Sequence, residues 1–443
     1  MAPKAKAPRK SPRKAAQDST APTSYGASPP ACSGAASSSD ASRADTEAIP
    51  PSALDVDYFY RFMRHREEIR VRREVLKLPT EEWYPEDPDF TWMRTTKLTN
   101  VKRRDDRMTR VVRRLSRGAA AKWLQPGTDK KRLAKLIVFN HALWRSFGTV
   151  EFAEQVGFLW HIQDWGAMEM QPAVQAALSN WSRGRSNFSD AYRPPRTWRT
   201  VERNAKDEDS AKALYFTVLR NLEPLWRACS SIAKIAHRKR SWKEATKRLM
   251  SVSGFGGTGF MAKELMQDLM HTPLFEKWDA SRRSWSNICA DRDMWCIVGP
   301  GARRGLNRLH GRRVGAGAQS GSKDWHLFFL TELLDLFAQR KGRWVKDILG
   351  QPIADLELHD VQFQLCELDK HERAKYGEGL VRRYDAPGTQ WETVKPVGPR
   401  RHGLVRRRAR AKAPSAKRAS TGPPKPAERL PKRLMAPPRS PSL

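Results

Sequence analysis

Cysteine is scarce in this chain of 443 residues: there are five, at 32, 229, 289, 296 and 366, without a CxxC pair or regular spacing. That excludes a disulfide framework and a zinc site, and it fits a reducing compartment. Six residues separate Cys289 from Cys296, a spacing known from iron–sulfur ligation, but the two further cysteines such a cluster needs do not follow. Long apolar runs are missing too. None approaches the roughly 20 residues that span a bilayer, so no membrane partner is expected. The triphosphate-cradling pattern GxxxxGK followed by Ser or Thr is absent, which excludes a P-loop kinase. Strand-like alternation is sparse and no repeat of twenty to fifty residues is evident. Nothing in the pattern calls for a cofactor or a metal.

Acidic side chains are outnumbered, 48 against 82 Lys and Arg, for a formal net charge of +34. Such an excess points to a polyanionic partner, with DNA the first candidate. Roughly half of the excess sits in two tails, by composition. Residues 1–52 are rich in Ala, Ser, Pro, Lys and Arg and poor in large apolar side chains, and residues 391–443 repeat that composition with denser charge. Neither can bury enough surface to offset the entropy of ordering, so both are expected to be disordered. KSPRKAA at 10–16 resembles the Ser-Pro-basic elements of histone tails, and GLVRRRARAKAPSAKRAS at 403–420 reads as a nuclear-import or phosphate-contacting stretch. A nuclear location is the expectation.

Between the tails, residues 53–390 read as one mainly α-helical core. Apolar residues recur near helical spacing over 55–78. They form a cleaner stripe over 210–236, where Pro224 predicts a kink or break. Residues 325–340 are apolar on most sides and predict a buried helix. Sixteen tryptophans is a high number; Trp144, Trp226 and Trp344 lie on apolar faces and are assigned to the core.

Four segments carry chemistry. In SGFGGTGFMAKELMQDL at 253–269, four glycines within six residues precede an amphipathic helix. Glycines at a helix start leave backbone N–H groups unshielded, so Gly256, Gly257 and Gly259 with Lys263 can hold an anion such as a DNA phosphate; the same letters also serve a tight helix–helix turn. In DRDMWCIVGPGARRGLNRL, Gly299 and Gly301 open a second helix beside Arg303, Arg304 and Arg308, a second candidate phosphate site or an exposed basic cap. Asp291 and Asp293 lie just before it, as turn acids or as a base. In TNVKRRDDRMTRVVRRL, arginines from Arg103 to Arg114 repeat at helical spacing opposite Met108, Val111, Val112 and Leu115. Asn100, Arg104 and Arg107 are the candidate DNA contacts, and a solvated basic face is the alternative. In LCELDKHERAKYGEG, Glu367 with Lys370 and Asp369 with Arg373 are spaced as helix ion pairs.

Taken together and in this order, these segments resemble the helical domain named after the 5-hydroxymethyldeoxyuridine DNA kinases of bacteriophages, a group that includes the alpha-glutamyl/putrescinyl thymine pyrophosphorylases. The matching stretches run from Thr99 to Thr109, Gly257 to Glu264, Gly299 to Arg308 and Leu365 to Gly379, and an upstream RHREEIRVRR is similar to the family's opening helix. TEEWYPEDPDF at 80–90 departs from the family's pattern, and no kinase module accompanies the domain. The resemblance implies a fold like that of helix-hairpin-helix DNA glycosylases. It also implies a role in thymine hypermodification: an amine or amino acid displaces pyrophosphate from a pyrophosphorylated 5-hydroxymethyluracil in DNA. That chemistry needs an extruded base, cations for the departing pyrophosphate and a carboxylate to take the proton. Asp293, Asp106 and Glu378 are the expected carboxylates, Asp293 foremost. A non-catalytic chromatin or DNA-binding protein, and a glycosylase acting on modified thymine, are the alternatives.

Overall fold

The structure is a computed structural model and describes residues 54–378, apart from 85, 97, 163–164, 190–192, 258 and 354. The expected tails, and the core's far boundary at 390, lie outside the described residues. What is described is mainly helical.

The first helix, α1 (Val56–Arg70), starts where the Asp55 carboxylate accepts the Tyr58 N–H at 2.5 Å, and it buries Phe59, Phe62 and Met63. The helical pattern read from sequence runs on to 78, but the chain instead passes through a five-residue π-turn, Val71–Val75, and leaves helical geometry at Lys77 with φ 56°. Pro79 gives the reason, since it disfavours helix in the residue before it.

The middle of the chain builds one lobe. It comprises α2 (Arg107–Leu115), α3 (Arg117–Leu124), α4 (Lys130–Phe147), α5 (Val150–Val156), α6 (Ala167–Ser182), α7 (Arg193–Arg203), α8 (Glu208–Arg220), α9 (Glu223–Lys234), α10 (Trp242–Met250) and α11 (Phe260–Leu269). The axle is α4, capped by Asp129, ended by Gly148 at φ 84°, and buried along most of its length. Pro224 stands in the first turn of α9, so the continuous stripe over 210–236 breaks into α8 and α9 there. Proline is tolerated in a first turn because its missing N–H would have had no helical acceptor. Trp144 and Trp226 are buried as expected.

A short antiparallel hairpin follows, β1 (Glu276–Asp279) and β2 (Ser284–Asn287), with Trp278 opposite Trp285 at a ring separation of 5.7 Å. The chain then forms α12 (Pro300–Leu309), α13 (Lys323–Ala338) and α14 (Leu358–Tyr376), which pack with α1 around a second apolar core. The second lobe is thus built from both ends of the core sequence. Trp295 packs against both apolar clusters. The helix read as buried on most sides, α13, buries one face only: Phe329, Leu333 and Phe337 are inside, and Leu327 is 64 % exposed. Helix α12 lies so close to α14 that a Cβ added at Gly305 would stand 2.4 Å from the Leu365 carbonyl oxygen.

Candidate functional site

The first glycine segment forms the expected helix–turn–helix, α10 to α11. Gly254, Gly257 and Gly259 have φ of 86°, 63° and 71°, a region where side-chain-bearing residues are strained. Gly259 is the N-cap of α11 and donates to the Gly256 carbonyl at 3.2 Å. Among the described residues, no backbone carbonyl accepts from the N–H of Gly256 or Gly257. The turn lines an open hollow of about 450 Å³ with Met250, Ser251, Val252 and Ser253.

The second segment also opens a helix, with Gly299 as N-cap of α12 and Pro300 at N1. The two bends are neighbours: a Cβ added at Gly259 would lie 2.6 Å from Cδ1 of Ile297, two residues before Gly299. The arginines expected beside this bend turn inward. Arg303 is buried; its guanidinium donates to the carbonyls of Val298 (2.8 Å), Gly317 (3.1 Å) and Ser320 (2.7 Å), clasping the loop after α12, and burial lowers its pKa. Arg308 is buried against Asp369 and Glu378, and Arg304 donates to Asp369 at 2.8 Å. Gly301 likewise serves packing, since an added Cβ there would meet Sγ of Cys366 at 3.0 Å. Arg303 and Arg308 are thus held away from a phosphate at the bend, while Arg304, a quarter exposed, leans on Asp369.

Lys263, expected among the phosphate contacts, is 2 % exposed. Its ammonium donates to Oε1 of Gln362 at 3.1 Å and lies 4.7 Å from the Phe363 ring. It belongs to a polar seam between the lobes. On α11 the residues Ala262, Leu265, Met266 and Leu269 face the first core, while Lys263, Glu264, Gln267 and Asp268 face away from it, all buried. Arg145 of α4 donates to Asp268 at 2.5 and 2.7 Å, and the Thr109 hydroxyl joins it at 3.1 Å. Arg103 pairs with Glu264, and its backbone N–H donates to Asp360 at 2.7 Å. Glu367 accepts the Thr99 N–H at 3.1 Å. Four segments far apart in sequence therefore converge on one ion network.

Burial pushes the Glu264 and Asp268 carboxyls up, but the facing cations outweigh it, Arg103 foremost for Glu264 and Arg145 for Asp268, and hold both below the usual range. Asp360 goes the other way. Burial and then the nearby Glu357 raise it to about 7, with the Arg103 and Glu357 N–H groups only partly opposing them. Burial, then Lys263 and Arg292, lower the His359 imidazole to about 3, so it is neutral at physiological pH.

The three expected carboxylates are each engaged. Asp106 is the N-cap of α2, accepting from Met108 at 3.2 Å and Thr109 at 3.4 Å. Glu378 pairs with Arg308. Asp293 holds Arg292 at 3.0 Å and accepts the N–H of Leu358 at 3.1 Å, beside His359 at the start of α14. Asp291 caps α10 across fifty residues, accepting from Ser241, Trp242 and Lys243. Asn100 is likewise occupied, donating to the Asp105 carbonyl at 2.8 Å and accepting from Arg73 at 3.2 Å. Arg104 and Arg107 remain on the surface as the basic pattern requires, Arg107 in a single exposed pair with Glu151 at 3.2 Å. Arg103, their neighbour, does not share that face. Glu264, Asp268, Arg145, His359 and Gln267 escaped the sequence reading because their significance lies in partners across the seam.

A mainly helical body, in which dispersed motif segments build a charged junction between two lobes, defines a class rather than a single protein. Residues 55–379 match the family described as 5-hmdU DNA kinase, helical domain, and the chain belongs to that family. Membership ties it to DNA modification in general, with DNA as its partner. No curated protein and no solved structure matches it. No helix among the described residues is long and apolar enough to cross a membrane.

Proposed function

We propose that this protein modifies a 5-hydroxymethyluracil-type base in DNA, holding the sugar–phosphate strand at the Gly254–Gly259 turn and along α2 while the target base is drawn toward the interlobe seam. Pairing between family segments far apart in sequence carries the reading: Arg103 with Glu264, the Thr99 N–H with Glu367, and Arg304 with Asp369. Buried ion pairs are poor stabilisers, because desolvation offsets most of the attraction, and apolar residues of like volume serve stability as well or better. A seam built this way favours a role in recognition or chemistry. The turn supports phosphate contact through the Gly256 and Gly257 amides, which lack a backbone acceptor among the described residues, and the positive end of α11. A glycosylase-like helix-hairpin-helix arrangement is part of the proposal, by analogy of the α10–α11 turn.

In the proposed reaction the nitrogen of an amine or amino acid attacks the methylene carbon at C5. The carbon–oxygen bond to pyrophosphate breaks, and pyrophosphate leaves with the electron pair. Asp293 is the proposed acceptor of the nitrogen's proton, because its side chain is about one-third exposed, at 31 %, and it abuts the start of α14. The capping of Asp106 and the pairing of Glu378 favour a second reading, DNA binding without catalysis.

One assay separates these. Duplexes bearing 5-hydroxymethyluracil or its pyrophosphate ester are incubated with protein and a polyamine or amino acid, and nucleosides are examined by mass spectrometry. An adduct that disappears with Asp293→Asn supports transfer. An abasic site supports glycosylase action instead, and tight binding without conversion supports the binding role.

A further inference from the structure

Buried polar groups are almost always hydrogen-bonded, and those that are not need an explanation. Two side chains in the seam stand out. His359 is 2 % exposed and neither ring nitrogen has a partner among the described residues; Gln267 is 3 % exposed and neither its amide oxygen nor its nitrogen has one. The indole N–H of Trp242, fully buried 4.2 Å from the His359 ring, is also without a partner among the described residues. Gln267 follows Lys263 by one helical turn, so the two share a face of α11. That face meets α14 one turn on from His359, where Gln362 accepts from the Lys263 ammonium at 3.1 Å.

Resting on the reading that a base is drawn into the seam, we propose that Gln267, His359 and Lys263 form a recognition site for the polar edge of a pyrimidine-2,4-dione, the ring system of uracil and thymine. Such an edge carries two carbonyl oxygens, which need donors, flanking one N–H, which needs an acceptor. Lys263 supplies donors only, and one ammonium hydrogen already goes to Gln362. Gln267 and the neutral His359 each supply a donor and an acceptor. Cytosine presents an amino group where the dione has a carbonyl, so its donor would face the Lys263 ammonium. Trp242 gives an aromatic wall. Access requires the lobes to part along the seam, since α11 belongs to one apolar core and α14 to the other.

The test uses the full chain and three duplexes that differ at one position, thymine, 5-hydroxymethyluracil or 5-hydroxymethylcytosine. Each stands opposite an abasic site so that base pairing does not differ. Wild type is expected to bind both diones about tenfold more tightly than the cytosine analogue, the effect of one mismatched buried hydrogen bond. Gln267→Met and His359→Phe are each expected to reduce that preference below about threefold, with general DNA affinity and its salt slope kept. Because each variant removes an unpartnered polar group, its melting temperature in the absence of DNA should hold or rise. A variant that unfolds, or that weakens all three duplexes equally, overturns the inference, as does a wild type without preference over the cytosine analogue. Thymine and 5-hydroxymethyluracil bound equally, both above the cytosine analogue, would uphold the inference and count against the proposed substrate.

Discussion

The two glycine bends look alike in sequence and do different physical work. At Gly254–Gly259 the glycines set the backbone: three have positive φ, Gly254 and Gly257 face open space, and the Gly256 and Gly257 amides have no backbone acceptor among the described residues. At Gly299–Gly305 they set a distance: none has positive φ, and Gly301 and Gly305 are small so that α12 can press on α14. A glycine cluster before a helix therefore has at least two causes, and the identity of the atom a Cβ would meet separates them.

Substitutions can break the comparison. Gly305→Ala drives a methyl into the Leu365 backbone, which cannot yield, and should destabilise the protein by about 3 kcal/mol in urea unfolding. Gly301→Ala meets a cysteine side chain that can rotate, so a loss of about 1 kcal/mol is expected. Gly257→Ala meets nothing within 4 Å and should also lose about 1 kcal/mol, from its positive φ alone. DNA affinity sharpens the contrast between these last two. At equal stability loss, Gly257→Ala should weaken DNA binding, whereas Gly301→Ala should leave it unchanged, by fluorescence anisotropy.

The arginines divide the same way. Arg107→Ala removes an exposed pair and should change stability by no more than about 0.5 kcal/mol, while lowering the salt slope of DNA binding by about 1. For acid stability the seam sets the sign. Folded His359 stays neutral down to about 3, against 6.5 ordinarily, so between those values the unfolded chain binds a proton that the folded chain refuses. Stability from this group is present above 6.5 and is lost as the pH falls through that window. His359→Phe should flatten the fall, compared by urea midpoints at pH 7 and pH 4.5.

Much of the helical framework was legible: the stripe over 210–236 and its break at Pro224, the helix–turn–helix at 242–269, and the Glu367–Lys370 and Asp369–Arg373 pairs, at 2.6 and 3.3 Å. These depend on neighbours a turn away. The direction of each charged side chain was not legible. Arg103 and Arg104 are adjacent and identical, yet one is buried against Glu264 and the other faces solvent. The bias of charge toward the surface misleads wherever a distant partner compensates burial. Asp291 illustrates the same limit, as a cap for a helix that starts fifty residues earlier. The β-hairpin was missed because four-residue strands carry too little alternation to register.

The discontinuity of the second lobe has a consequence for biosynthesis. A chain emerging from the ribosome exposes α1 first, yet the apolar partners of Phe59, Phe62 and Met63 include residues of α14, which is made last. The middle lobe can close on itself as soon as α11 appears, while α1 waits with its greasy face uncovered. Nascent chains of this protein should therefore engage chaperones through their opening helix, and truncation just before Leu358 should leave it a persistent client.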